Sequence, residues 1–335
     1  MSKIAVMGGG AWGTALALNL AQRGGHVITL WTHSSAAADT IRTTRENTAF
    51  LPGFKLPPSV IVTSKAAEAL KSSDIVLSVV PSHHVRESYE KFAPHLRPGQ
   101  FIVSATKGIE DQTGMRMSEV IAKVTAAHGL DLPIAVLSGP SFAQEVAAGS
   151  PTAVTIASSD LKLAAHIQQE FASRTIRLYT NEDVIGVELG GALKNVIAIA
   201  AGAVSGLALG HNSTAALITR GIAEITRLAV ACGGRRETLA GLSGLGDLVL
   251  TCTGSLSRNR WVGIELGKGH SLSEALAGLH GKVAEGVRTT PAAIDLATRH
   301  DVEMPIAEQV HAILYQAKHP SEAIQDLMGR PGRDE

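Results

Sequence analysis

KIAVMGGGAWGTALALNLAQ, residues 3–22, is the stretch whose reading decides the fold. It opens with a short apolar, strand-like run, passes through Gly8, Gly9 and Gly10, and continues from Gly13 to Gln22 in a helical pattern rich in Ala and Leu. Gly8, Gly10 and Gly13 satisfy G-x-G-x-x-G. That spacing is weak by itself and gains meaning from the strand before it and the helix after it. Glycine permits the tight turn, the close approach of a pyrophosphate to the backbone, and close helix–strand packing. The helix N-terminus then offers free N–H groups and a positive dipole end to the anion. A glycine-rich turn without a ligand is the plainer alternative, and the strand–loop–helix context disfavours it.

Outward from this loop, further strand-like runs lie at 26–31, 74–81, 101–108, 133–140, 151–158 and 175–181. Several are continuous Val/Ile/Leu runs, as expected of strands covered on both faces. Their alternation with helical segments implies a parallel, doubly wound sheet. After residue 182 the pattern turns helical. Residues 214–231 place Leu217, Ile218, Ile222, Ile225 and Leu228 on one helical face and Arg220, Glu224 and Arg227 on another. Segments at 261–269, 271–279, 290–300 and 305–318 also read as helices, punctuated by Gly269, Gly281, Pro305 and Pro320. The fold class is therefore α/β: an N-terminal Rossmann-type domain over 1–182, followed by an all-α domain over 183–335.

A carboxylate at the end of the second strand holds the ribose 2′-hydroxyl in NAD-specific sites. Here the strand runs into LWTHSSAAAD, and Asp39 stands too far along. His33, Ser34 and Ser35 offer hydrogen bonds without negative charge, so NADP(H) is expected to be accepted alongside or in place of NAD(H). His33 reads equally as a solvated turn residue.

Composition narrows the partners. The 335 residues are 45% hydrophobic and 18% charged, enough for a large packed core. Lys and Arg number 30, as do Asp and Glu, which argues against nucleic acid as a partner. Cys232 and Cys252 make no disulfide framework and no metal-ligand pattern, and fit a reducing compartment. Each is a buried filler or a reactive thiol. No secretory leader and no membrane span of about 20 residues is read, so a cytoplasmic location is expected. The Ala- and Gly-rich helices suit a homodimer.

GGALKNVIAIAAG, residues 190–202, places Lys194 in an apolar, small-residue helix. Either its ammonium snorkels to water or it faces a pocket. Its i±3 and i±4 neighbours Gly190, Gly191 and Ala198 are tiny, which implies a bordering space; Glu188 and Asn195 are candidates for its edge. A second cluster, residues 241–263, carries Asp247 after a glycine-rich bend and Ser257, Arg258, Asn259 and Arg260 where a helix begins. A serine N-cap with arginines makes an anion site, or else an ordinary capped surface helix. Lys107, and the loop containing Gly139, Ser141 and Ala143, follow strands, at the sheet end where ligands bind.

Taken together, GGGAWGTALA, ATKGIE, SGPSFAQEVAAG, GGALKNVIAIAAG, GLGDLVLTCTG, LSRNR and AEGVRT resemble the bacterial-type NAD(P)-dependent glycerol-3-phosphate dehydrogenases over nearly the whole chain. The resemblance implies reduction of dihydroxyacetone phosphate to sn-glycerol 3-phosphate, the entry to phospholipid synthesis, at a site between the two domains. It implies Lys194 as proton donor and acceptor. It implies Lys107, Gly139, Ser141, Lys194, Asp247, Ser257, Arg258 and Asn259 as substrate contacts. The cofactor would meet the Gly8–Gly10–Gly13 loop with Ala11, Trp12, His33, Lys107, Ala143, Arg258, Val283 and Glu285. It favours the pocket reading of Lys194. A ketopantoate-type reductase and a dinucleotide-sensing regulator without turnover are the competing readings.

Overall fold

The computed structural model describes residues 1–332. Eight strands form one sheet: β1 (Ser2–Met7), β2 (His26–Trp31), β3 (Ile61–Thr63), β4 (Ile75–Ser78), β5 (Phe101–Ser104), β6 (Ile134–Ser138), β7 (Thr152–Ala157) and β8 (Ile176–Asn181). Between them lie α1 (Ala11–Arg23), α2 (Ser35–Thr44), α3 (Ala66–Leu70), α4 (Val85–Phe92), α5 (Met117–Ala127), α6 (Ala143–Ala147) and α7 (Leu161–Phe171). The remaining helices are α8 (Val184–Gly206), α9 (Gly210–Ala231), α10 (Arg236–Leu239), α11 (Asp247–Thr253), α12 (Arg258–Gly267), α13 (Leu272–Ala277), α14 (Glu285–Arg299), α15 (Pro305–Tyr315) and α16 (Pro320–Met328).

The sheet order is β3-β2-β1-β4-β5-β6-β7-β8, so the winding reverses between β1 and β4. Gly8 stands at that switch point, where ligands bind in doubly wound sheets. Successive strand residues face opposite layers. Ile75, Leu77 and Val103 join the core on one side, and Val76 and Ile102 join Val85, Tyr89 and Val120 on the other.

The sheet is mixed rather than wholly parallel. β7 runs antiparallel to β6, and β8 runs parallel to β7. The connection over 139–151 holds only the short α6, and the chain turns back beside β6 instead of crossing over through a long helix. β3 went unread because three residues give too little alternation to detect.

The chain divides into two compact units, Met1–Lys107 with Met115–Glu188, and Gly108–Gly114 with Leu189–Glu335. This differs from the break at 182/183 read in the sequence; residues 333–335 lie outside the described residues. β8 ends at Asn181, and the first packed body continues beyond it to Glu188. Val187, on the first turn of α8, packs with Val136 and Ala157. Glu188 accepts hydrogen bonds from the Ser118 amide (2.8 Å), the Ser118 hydroxyl (2.5 Å) and Arg116 (2.6 Å). In the second unit Arg299 donates to the Thr113 carbonyl at 2.7 Å, which ties 108–114 there.

α8 was not foreseen as a possible membrane span. Among the described residues it is long and apolar enough to cross a membrane by length and composition, yet 83% of its apolar window is buried within the protein. Its glycines allow this core role. A Cβ on Gly202 would stand 2.0 Å from the Arg260 carbonyl oxygen, and one on Gly263 of α12 would stand 1.9 Å from that of Ile199. Helix α14 accommodates Pro291. Proline lacks the N–H that would bond Val287, and the Tyr315 hydroxyl donates to that carbonyl instead, at 2.7 Å.

Candidate functional site

Each unit carries part of the sequence-derived set. In the first, the glycines of the loop divide their roles as the fingerprint demands. Gly8 has φ +143°, and a Cβ there would lie 2.5 Å from the Val79 carbonyl oxygen. A Cβ on Gly13 would lie 1.9 Å from the Gly8 oxygen, so only glycine lets α1 sit this close. A Cβ on Gly10 would meet nothing within 4 Å. Gly10 precedes α1, which has no side-chain cap, so the first-turn amides of Ala11 and Trp12 are left for a ligand. This open cradle fits the pyrophosphate of a dinucleotide.

His33 is exposed beyond β2, edge-on to Trp31 at 6.3 Å between ring centroids. Ser34 is committed to capping α2, accepting from the Ala37 amide. Lys107, Gly139 and Ser141 come together beyond β5 and β6. The Lys107 ammonium and the Ser141 hydroxyl each donate to the Gly139 carbonyl at 3.0 Å. Gly139 has φ +137°, and a Cβ there would press on Val154 at 3.0 Å. Ala143 opens α6. Sequence reasoning missed Asn47, whose amide donates to the Gly9 carbonyl and the Thr14 hydroxyl, each at 2.8 Å.

In the second unit, Lys194 lies on α8 and Asp247 begins α11 after a wide π-helical turn, Leu242–Gly246. Lys194 donates to the Asp247 carboxylate, and both side chains are almost wholly buried. Lys194 therefore does not snorkel. Thr251, one turn beyond Asp247, donates to its carbonyl at 2.6 Å. The i+4 spacing was the available signal for Thr251. Of its small neighbours, Gly190 serves close packing: a Cβ there would meet the Ser243 carbonyl oxygen at 2.6 Å. The Glu188 carboxylate is engaged by Ser118 and Arg116 within the first unit.

Ser257 caps α12 as read from the sequence, accepting from the Arg260 amide at 3.1 Å. Arg258 follows at the first helical position and is exposed. Desolvation nonetheless lowers its pKa, opposed by the carboxylate of Glu285 at the start of α14. Val283 is half-buried just before α14. Asn259 links three elements: its amide donates to the Asn195 side-chain oxygen at 2.9 Å, and its own oxygen accepts from the Gly286 amide at 2.9 Å. A buried polar bridge of this kind fixes the start of α12 against α8 and α14. Cys252 is buried with its thiol pushed up to about 12 by desolvation, so it is filler and not a nucleophile.

The arrangement supplies an anion cradle in one unit. In the other it supplies a buried ammonium held by a carboxylate, with an arginine-bearing helix start beside the same helix. Comparison with known proteins points one way. Residues 3–164 match the NAD-dependent glycerol-3-phosphate dehydrogenase N-terminus and residues 183–325 its C-terminus. The chain is 66% identical over 338 residues to glycerol-3-phosphate dehydrogenase (NAD(P)+) of Acidobacterium capsulatum, covering 100% of both. It is 59% identical to the protein of that name from Koribacter versatilis, covering 100% of this chain and 99% of the other. The solved structure of glycerol-3-phosphate dehydrogenase from Coxiella burnetii matches with TM-score 0.93 at 40% identity, covering 98% of this chain and 99% of that one. A ketopantoate reductase of Ralstonia eutropha matches at TM-score 0.61 and 17% identity, covering 96% of this chain and 99% of that one, a likeness of fold alone.

Proposed function

The chain belongs to the NAD-dependent glycerol-3-phosphate dehydrogenase family, and from that premise we propose that Lys194 is the proton donor of its reaction. It is an oxidoreductase that reduces dihydroxyacetone phosphate to sn-glycerol 3-phosphate with NAD(P)H. The single observation that carries the residue assignment is the buried Lys194–Asp247 pair.

The nucleotide, when bound, supplies the hydride. Gly8, Gly10, Gly13, Ala11 and Trp12 would hold its pyrophosphate, and His33, Lys107, Ala143, Arg258, Val283 and Glu285 would be further contacts. Lys194 stabilises the negative charge that develops on the C2 oxygen and delivers a proton to it, in a buried setting where such stabilisation is strongest. Asp247 holds the ammonium in place and aims it. Arg258 and the α12 amides beside Ser257 and Asn259 bind the phosphate, and Lys107, Gly139 and Ser141 complete the substrate contacts. Fixing the phosphate orients the carbonyl, and orientation is itself a large part of the rate.

The reading extends to a supply of glycerol 3-phosphate for phospholipid synthesis in the cytoplasm, supported by the two-cysteine composition. It extends also to a homodimer, supported by exposed Leu245, Val249 and Leu256 on the second unit and tested by sedimentation. The substrate assignment is tested by nucleotide oxidation with dihydroxyacetone phosphate, phosphate-free dihydroxyacetone and a branched keto acid. Turnover with the first alone supports it; turnover with the keto acid and not the phosphate ester overturns it.

A further inference from the structure

A dinucleotide loop must turn its amides toward the phosphates and its carbonyls away. In a trans peptide the C=O and N–H point in opposite directions, so whatever fixes one aims the other. The Gly9 carbonyl is fixed from outside the loop. Asn47 donates to it at 2.8 Å and to the Thr14 hydroxyl at 2.8 Å, and is only 3% exposed. The Gly10 amide, which shares that peptide plane, is thereby turned away from Asn47. No atom would lie within 4 Å of a Cβ on Gly10, so this part of the loop borders open space.

Asn47 is itself held rigidly. Its carbonyl accepts from the amides of Leu51 (2.8 Å) and Phe50 (3.2 Å), which closes a turn. On either side of it the segment is knotted. Glu46 pairs with Lys55 at 2.9 Å and accepts from the Gly53 amide at 2.8 Å. Arg45 donates to the carbonyls of Pro57 and Val60.

We propose that Asn47 is a positioning residue for the nucleotide: it holds the Gly9 carbonyl and the Thr14 hydroxyl so that the Gly10 amide is presented to the pyrophosphate. The proposal rests on the reading of this loop as the cofactor site. It predicts an effect confined to ligands that carry a pyrophosphate.

The test is a binding titration of the full chain with NADPH, ADP-ribose and adenosine, for wild type, Asn47→Ala and the isosteric Asn47→Asp, with thermal melts alongside. Both variants remove the two donated hydrogen bonds. Dissociation constants for NADPH and ADP-ribose are expected to rise about tenfold or more, since both hydrogen bonds that orient the loop are lost and an unsatisfied carbonyl then faces the anion. The adenosine constant is expected to stay within about twofold, and kcat at saturating NADPH likewise, because Asn47 touches no reacting atom. Wild-type affinity for NADPH and ADP-ribose in either folded variant overturns the proposal and leaves Asn47 a tether of its own loop. An equal loss for adenosine also overturns it, as a general collapse of the site. If the wild type binds none of the three, the cofactor reading beneath the proposal has failed instead.

Discussion

Lys194 and Asp247 leave water together. A lysine buried beside a carboxylate and anchored on a rigid helix gains little for stability, because desolvation offsets the attraction. Under the proposed function its use is chemical: the ammonium would sit where an oxyanion forms. Lys194→Met is therefore expected to lower kcat by about 100-fold or more while nucleotide binding persists. Asp247→Asn keeps the shape and removes the charge, and is expected to lower kcat by less, with the substrate KM little changed. Arg258→Ala is expected to raise KM for dihydroxyacetone phosphate by at least about tenfold, the usual scale for a charge-assisted phosphate contact; an unchanged KM separates Arg258 from the phosphate. Lys194 was legible in the sequence because a charge among alanines and glycines is conspicuous. Asn47 was not, because its partners lie 38 and 33 residues away and only the folded chain brings them together.

At the scale of elements, the small residues of α8 carry the instructive reversal. Read alone, GGALKNVIAIAAG implies a space beside the lysine. In the structure Gly202 and Gly206 admit the backbone of α12, and Gly190 admits the turn that delivers Asp247. The glycines build the site by close approach, and the helix pair they join holds Lys194 on one member and the Ser257–Asn259 start on the other. Gly263→Val, with its Cβ 1.9 Å from the Ile199 oxygen, must push α8 and α12 apart. The expected cost is roughly 1–3 kcal/mol or more, the usual range for overpacking, read as a lowered denaturation midpoint. The helical elements were largely legible from their periodicity and punctuation. The antiparallel β7 was not, since a strand covered on both faces reads the same in either direction.

At the scale of the molecule, one buried carboxylate sets a pH dependence. Glu224 accepts from the amides of Ile306 (2.8 Å) and Ala307 (3.4 Å) at the start of α15, with Arg227 and Glu308 as its charged neighbours. Burial outweighs these bonds and raises its pKa from 4.5 to about 7. The folded state therefore holds a proton that the unfolded state releases between those values. Stability from this group is complete below pH 4.5 and declines as pH rises to about 7, by roughly 3 kcal/mol in all. The melting temperature of wild type is expected to fall relative to Glu224→Gln between pH 5 and 7.5, and parallel profiles would exclude Glu224 as the cause. The two-part organisation was legible in outline, while the passage of 108–114 into the second unit was not, because it depends on contacts such as Arg299 with Thr113, far apart in the chain.

The most direct measurement is the loss of nicotinamide absorbance when wild type and Lys194→Met are each given NADPH and dihydroxyacetone phosphate, with nucleotide affinity measured in parallel. The account predicts rapid oxidation by the wild type and about 100-fold less by the variant at equal nucleotide affinity. A variant that retains most of the wild-type rate would contradict it.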